Sequence, residues 1–363
     1  MSDEVFMRRA LRLAARARGW TSPNPLVGAV VVRDGRIIGE GYHRRPGTPH
    51  AEIHALRAAG SAAQGAVLYL TLEPCCHRFK RTPPCTEAVI ASGVKRVVVA
   101  MPDPNPRVRG RGLRALRRTG LAVEVGVLAE TARRLNEAYA VWITTGRPFV
   151  ILKIASTLDG KIATASGESR WITGPKSRAL THRLRAQVDA VMVGLGTVIA
   201  DDPELTVRSG LRGRQPHRII LDERLVTPLH ARVLRPRDGS WTYLATTARA
   251  PAARRRRFEA LGVKVLVAKS RNGLVDMADV MRRLGRLEMT SVLIEGGAAV
   301  NASALRSGVV RKVIVIMAPK LLGGRDAVGA VGGESPRRLR DAVSLRGRVV
   351  RRCGDDIVVE GYL

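Results

Sequence analysis

The stretch that decides the fold reads Pro49-His50-Ala51-Glu52-Ile53-His54, resumes at Leu72-Glu73-Pro74-Cys75-Cys76-His77, and closes on Thr82-Pro83-Pro84-Cys85. One imidazole (His50) and two thiolates (Cys75 and Cys85) make a donor set that can hold Zn2+ and leave its fourth position open to water. A metal held this way lowers the pKa of that water toward neutrality. Glu52 follows His50 by two residues. As a non-ligand carboxylate it can take the water's proton and return it to a leaving group. A helix start with an incidental histidine and two ordinary buried thiols is the plainer explanation. It does not account for both halves of the pattern occurring in this order.

Working outward, the His50 segment should open a helix to about residue 63, and 67–71 reads as a strand with Pro74-Cys75 just past its end. A second helix should begin at Cys85. Both half-sites then lie at helix N-termini, where the backbone N–H ends favour thiolate over thiol. Upstream, residues 7–18 read as an amphipathic helix stopped by Gly19, followed by the turn Ser22-Pro-Asn-Pro-Leu-Val-Gly28 and two strands, 29–33 and 36–42, joined at Asp34-Gly35. Downstream come strand 97–101, the loop 102–110, helix 110–119, strand 121–127 and helix 129–144. Alternating elements of this kind predict an α/β domain, with helices on both faces of a mostly parallel sheet.

Thr145-Gly-Arg-Pro148 is the natural linker, giving domains over 1–146 and 147–363. The second begins with a strand at 149–155 and a helix at about 175–186 whose early Pro175 suits a first turn. Strand 190–193 leads into Gly194–Pro203, which reads as a glycine-started turn ending in the pair Asp201-Asp202. Further strands are expected at 217–222, 241–246, 263–268, 291–295 and 311–317, with a helix at 298–307 and a closing hairpin of 348–353 and 356–362.

The 363 residues carry 62 Lys and Arg against 31 Asp and Glu, a formal charge of +31 that raises the question of a nucleic-acid partner. The excess is scattered, and its densest run, Arg254–Arg257, falls on a surface helix far from the metal motif. Aromatic residues make up only 4%, which leaves few platforms for stacking bases. No specific nucleic acid is therefore expected, and the field would instead steer anionic small molecules such as phosphorylated sugars and NADP. No apolar run reaches transmembrane length and no secretory pattern precedes the first helix, so a cytoplasmic protein without a membrane partner is expected. Three of the four cysteines fall in one short window, which suits a metal site better than a disulfide framework.

His-x-Glu followed by Pro-Cys and a further Cys is the signature of zinc deaminases. The chain resembles one family in particular, the bifunctional deaminase/reductases of riboflavin biosynthesis. In the first domain the likeness rests on Pro23-Asn-Pro-Leu-Val-Gly28, His50-Ala-Glu52, Leu72-Glu-Pro-Cys75, Thr82-Pro-Pro-Cys85 and Asp103-Pro-Asn-Pro106. In the second it rests on Lys153 with Ser156-Thr-Leu-Asp-Gly160, Ser166–Thr173, Ala200-Asp-Asp-Pro203, Ile294-Glu-Gly-Gly297 and Ala318–Gly323.

The resemblance implies a cytidine-deaminase-like α/β/α domain followed by a dihydrofolate-reductase-like α/β domain, assembled as a homo-oligomer. The first would use zinc on His50, Cys75 and Cys85, with Glu52 as the catalytic carboxylate, to deaminate the phosphorylated aminopyrimidine 2,5-diamino-6-(5-phosphoribosylamino)pyrimidin-4-one. Asn24 and His77 would face the pyrimidine. The second would use NADPH to reduce the ribosyl group to ribityl. By the same likeness NADPH lies against Ala155, Trp171, Thr197, Asp201 and the turn from Gly297. Substrate contacts would be Ser169, Arg185, Leu205, Arg208 and Glu295. Lys153 and Asp159, at or just past a strand end, would polarise the open-chain imine or carbonyl.

The chain departs from the family in the metal loop. Nine residues separate Cys75 from Cys85, one more than is usual, and the family's loop glycine is absent. The usual spacing counted back from Cys85 falls on Cys76, an alternative ligand. Cys75 is favoured because Pro74-Cys75 keeps its place after the strand, and an exposed loop absorbs an insertion at little entropic cost.

Overall fold

The computed structural model describes residues 2–76, 84–208 and 214–363. The chain divides into two compact units, the first ending at Gly146 and the second beginning at Arg147.

The first unit opens with α1 (Asp3–Ala15), whose Phe6, Met7, Ala10, Leu11, Leu13 and Ala14 are buried. β1 (Gly28–Arg33) and β2 (Arg36–Tyr42) form the hairpin, turning at Asp34-Gly35 with both residues at positive φ. Next come α2 (Ala51–Ala59), extended by a short 3₁₀ turn to Ala63, then β3 (Val67–Leu70), α3 (Cys85–Ala91), β4 (Arg96–Val99), α4 (Arg111–Arg118) and β5 (Ala122–Val125). The sheet runs β2-β1-β3-β4-β5, antiparallel at the hairpin side and parallel from β3 onward. The helix expected over 129–144 is two, α5 (Ala129–Leu135) and α6 (Glu137–Thr145). Asn136 between them leaves helical geometry, and its amide pairs with both backbone groups of Leu26, accepting at 2.8 Å and donating at 2.9 Å.

Three glycine contacts place the helices that matter. On β2, a Cβ at Gly39 would lie 2.2 Å from the Ala55 carbonyl oxygen of α2, and one at Gly41 would lie 2.4 Å from that of Ala51. On the opposite face, a Cβ at Gly28 would lie 2.0 Å from the Ala10 carbonyl of α1. Helix backbone thus rests directly on strand backbone, which only glycine permits.

The second unit begins with β6 (Phe149–Thr157) and the short β7 (Lys161–Ala163), then α7 (Pro175–Arg185) with proline in its first turn, and β8 (Ala190–Gly194). Residues read from sequence as a turn after Gly194 are a helix, α8 (Leu195–Asp201). Its Thr197-Val-Ile run is poor in helix propensity, and burial of Val198 in the core below overrides that preference. Then follow β9 (His217–Leu221), β10 (Thr242–Thr246), α9 (Ala252–Ala260), β11 (Lys264–Val267), the two-residue pair β12 (Ser270–Arg271) and β13 (Leu274–Val275), and α10 (Met277–Arg286). β14 (Ser291–Ile294), α11 (Ala298–Arg306), β15 (Val310–Ala318), the two-residue β16 (Val328–Gly329), β17 (Arg346–Cys353) and β18 (Asp356–Tyr362) complete it.

The main sheet runs β11-β10-β9-β8-β14-β6-β15-β18-β17, parallel except where the closing hairpin is added antiparallel at β15. Its central strands read as continuous apolar runs because both faces are covered. Ala190, Met192, Ile219 and Ile294 bury into one core, while Val191, Val193, Ile220 and Leu293 bury into the other.

Gly41→Ala should push α2 away from β2 and destabilise the first unit by roughly 3 kcal/mol, the upper part of the usual range for overpacking. Because Ala51 lies between His50 and Glu52, zinc retention against a chelator should fall with it. Unchanged retention would show that α2 is not held by this contact.

Candidate active sites

The metal donors come from three local devices. His50 is the N-cap of α2, Cys85 is the first residue of α3, and Cys75 follows the end of β3. His50 Nδ1 lies 3.1 Å from Cys85 Sγ and 3.7 Å from Cys75 Sγ, and all three donor atoms fall within 4.8 Å of one another. Zinc bonds of about 2.0 Å to nitrogen and about 2.3 Å to sulfur at tetrahedral angles put N and S roughly 3.5 Å apart. The donor set fits zinc with one position left for water. The Cys85 N–H donates to Cys75 Sγ at 3.4 Å, which favours the thiolate. Among the described residues this is the one three-donor cluster, and it takes Cys75 rather than Cys76. Burial, then the neighbouring Glu73 and Cys75, push the Cys76 thiol up.

Glu52 is 3% exposed in the first turn of α2, one peptide removed from the Gly41 contact. Asn24 is held by His43. The Asn24 amide nitrogen lies 3.0 Å from His43 Nε2, while His43 Nδ1 lies 3.3 Å from the Pro49 carbonyl. With the ring proton on Nδ1, the Asn24 NH2 donates to Nε2, and the amide oxygen is the end that His43 does not use. His77 lies outside the described residues.

Two residues here escaped the sequence reading. His43 belongs to no motif quoted for the site. Glu73 lies inside one, but spacing gives no sign of its task. Its buried carboxylate accepts the backbone N–H groups of Asp103 and Gly110 on one oxygen, and of Gly112 and Leu113 on the other. It thereby ties the Cys75 turn to the 103–110 loop and the start of α4.

In the second unit, Glu295 just past β14 meets two cations. Arg185, the last residue of α7, forks onto it at 2.6 and 3.1 Å and donates to the Thr206 carbonyl at 3.1 Å. Lys153 on β6 approaches the same carboxylate at 3.7 Å. Burial pushes the Glu295 carboxyl up, and Arg185 and then Lys153 outweigh it, so it stays ionised. Burial dominates for Lys153, and its ammonium loses a proton more readily than an ordinary lysine despite Glu295. Asp159 sits differently, in the exposed β6–β7 turn. Its carboxylate accepts from Thr157 Oγ1 at 2.5 Å and from the backbone of Gly323 (2.8 Å) and Leu322 (3.3 Å), which holds it at about 2.

The remaining expected residues form smaller groups. Ser169 donates to Asp201 at 3.0 Å, and Arg170 bonds the Asp201 carbonyl. Thr197 Oγ1 lies 3.6 Å from where a Gly297 Cβ would stand, so α8 and the start of α11 adjoin. Trp171 is exposed, with the Arg178 guanidinium 4.7 Å above its ring and Lys320 donating to its carbonyl at 2.9 Å. Ala155 lies two residues along β6 from Lys153, on the same face. Leu205 is buried at positive φ, and Arg208 stands exposed near Glu204.

Residues 148–359 match the RibD C-terminal domain, and residues 1–101 match the cytidine and deoxycytidylate deaminase zinc-binding region. The riboflavin biosynthesis protein RibD of Actinobacillus pleuropneumoniae is 44% identical over 360 residues, covering 99% of this chain and 95% of that protein. The chain belongs to the RibD family. RibD of Escherichia coli K12 is likewise 44% identical, over 98% of each chain. Among solved structures, RibD of Acinetobacter baumannii superposes with a TM-score of 0.89 at 39% identity, covering 99% of this chain and 98% of that one. A Thermotoga maritima protein described as a diaminohydroxyphosphoribosylaminopyrimidine deaminase/5-amino-6-(5-phosphoribosylamino)uracil reductase gives 0.87 at 37%, with the same coverage. As a RibD-family protein the chain is a bifunctional enzyme of riboflavin biosynthesis. It has a zinc-binding deaminase domain and a reductase domain of an NADPH-dependent family.

Two outcomes test these sites. Cys76→Ser should keep one zinc per chain, whereas Cys75→Ser should lose it in metal analysis of the purified protein. Glu295→Gln leaves two buried cations without their anion and should destabilise the second unit by roughly 3–5 kcal/mol, read as a lowered thermal transition with zinc content unchanged.

Proposed function

We propose that the first unit deaminates 2,5-diamino-6-(5-phosphoribosylamino)pyrimidin-4-one and that the second reduces the ribosyl group of the product with NADPH. The products are ammonia and 5-amino-6-(5-phosphoribitylamino)uracil. The observation that carries this reading is the pairing, in one RibD-family chain, of the His50–Cys75–Cys85 cluster beside buried Glu52 with the buried Lys153–Glu295–Arg185 group. The name of the Thermotoga maritima relative supports the substrate assignment. Working boundaries of 1–146 and 147–363 go with it, as do a homo-oligomeric state and a cytoplasmic location. No described helix is long and apolar enough to cross a membrane.

When bound, zinc supplies the Lewis acidity that makes water a nucleophile near neutral pH. Glu52 accepts the proton of the water that attacks the amino-bearing carbon and delivers it to the departing amine, so ammonia leaves. Asn24, turned by His43, directs its amide oxygen toward the pyrimidine, and His77 is assigned to the same ring. In the second unit NADPH supplies the hydride. Ala155, Trp171, Thr197, Asp201 and Gly297 are assigned to holding it, with the N–H groups at the start of α11 suited to a phosphate.

Lys153, whose proton is loosened by burial, protonates the reducing end of the opened sugar as hydride arrives. Glu295 keeps that ammonium in place. Asp159 acts through the segment it pins, holding Leu322 and Gly323 beside the β6–β7 turn. Three of the five Arg185 N–H groups are already used on Glu295 and Thr206. Arg208, exposed, is the fuller fork for the substrate phosphate. Ser169 and Leu205 complete the substrate contacts.

The test follows ammonia release and NADPH oxidation together in the zinc-loaded protein. Glu52→Gln should retain zinc and lose ammonia release by a factor of about 100 or more. Lys153→Ala should release ammonia normally and fail to oxidise NADPH even when given the deaminated intermediate. Zinc loss in the first variant, or reduction at the normal rate in the second, would remove the assigned role.

A further inference from the structure

His182 lies one turn before Arg185 on α7. Its Nδ1 accepts the backbone N–H of Arg208 at 3.3 Å. The neutral ring therefore carries its proton on Nε2. Two other side chains hold the residues just before. Arg185 donates to the Thr206 carbonyl, and the Gln215 amide brackets Val207, accepting its N–H at 2.8 Å and donating to its carbonyl at 3.1 Å. Three consecutive residues are each fixed by a side chain from elsewhere in the unit, and for Arg208 that side chain is His182.

We propose that His182 is a positioning residue of the reductase site: its neutral imidazole fixes the backbone at Arg208, and with it the direction from which the Arg208 guanidinium meets the substrate phosphate. This rests on the reading of Arg208 given above. An acceptor is required because the group opposite is a backbone N–H. An imidazolium would present a second N–H there and break the bond. The surroundings favour the neutral ring. Burial, then the positive charges of Arg185 on its own helix and Arg208 on the facing segment, hold its pKa below the usual histidine value, against the Thr206 carbonyl and Glu295, which favour protonation.

The experiment measures steady-state reduction of the deaminated phosphoribosylamino intermediate by the full-length, zinc-loaded chain, with Arg208→Ala as control. His182→Leu keeps an apolar side chain and removes the acceptor. It should raise KM for the intermediate on the order of tenfold, leaving kcat and the KM for NADPH little changed, as expected for lost uniform binding. His182→Asn, whose Oδ1 can accept the same N–H, should recover most of that loss. As pH falls below about 6.5, KM should rise more steeply in the wild type than in His182→Asn. The substrate phosphate also titrates near pH ~6, but equally in both, so the difference isolates the imidazole.

If His182→Asn is as impaired as His182→Leu, the acceptor is not what matters and the inference fails. If His182→Leu is unimpaired while Arg208→Ala is not, the inference fails and the reading of Arg208 stands. If Arg208→Ala leaves KM unchanged, that reading fails and takes the inference with it.

Discussion

A parallel strand buried on both faces can deliver chemistry in few places, because its side chains are committed to two apolar cores and its backbone to its neighbours. The free position is just past its carboxyl end, where the chain turns out of the sheet. Both units use this position, with Lys153 the exception, standing mid-strand on β6 just beyond where its pairing with β14 stops. Cys75 follows β3, Glu295 follows β14, and Thr197 stands in the helix that leaves β8. What differs is how each turn is stiffened. In the first unit a single carboxylate, Glu73, gathers four backbone N–H groups. In the second, the stiffening comes from charge.

That charge is concentrated on Glu295. One carboxylate facing Arg185 and Lys153 leaves the buried group with an excess of positive charge, an arrangement that costs desolvation free energy and is seldom kept for stability alone. An excess cation there suits the proton delivery proposed for Lys153, and Arg185 adds a mechanical link. By holding both Glu295 and the Thr206 carbonyl, it links the Lys153–Glu295 pair to the backbone that leads into Arg208. Most of the +31 charge lies elsewhere on the surface, and nothing about the two sites requires it.

Much of this could be read from sequence, because the first-unit site is written in residues that are close in the chain and chemically unusual. His50, Glu52, Cys75 and Cys85 come together through a helix start, a strand end and a second helix start, all local features. The strands of both sheets were legible for a similar reason, since apolar runs of their length have few alternatives. Reading failed where distant contacts decide. Helix 129–144 breaks because Asn136 finds Leu26, 110 residues away. α8 forms because Val198 has a core to enter, and α10 was missed altogether. Lys153 and Asp159 look alike in sequence as polar residues at a strand end, yet one is buried beside Glu295 and the other pins a surface turn. His43 and His182 meet their partners, Asn24 and the Arg208 backbone, through contacts that leave no pattern in spacing.

The pairing of Asn136 with Leu26 bears on how the deaminase half could be dissected. The zinc-binding region proper matches only residues 1–101, which invites a minimal fragment cut after β4. Such a fragment would leave the N–H and carbonyl of Leu26 facing the gap where an amide had stood, next to the turn that carries Asn24. It would also remove Asp103, Gly110, Gly112 and Leu113, whose backbone N–H groups the Glu73 carboxylate gathers beside the Cys75 turn. The metal ligands would all be present, but the turn that carries Asn24 and the carboxylate that braces the Cys75 turn would both have lost their partners. The smallest piece of this chain that is structurally complete around its zinc site extends through α6.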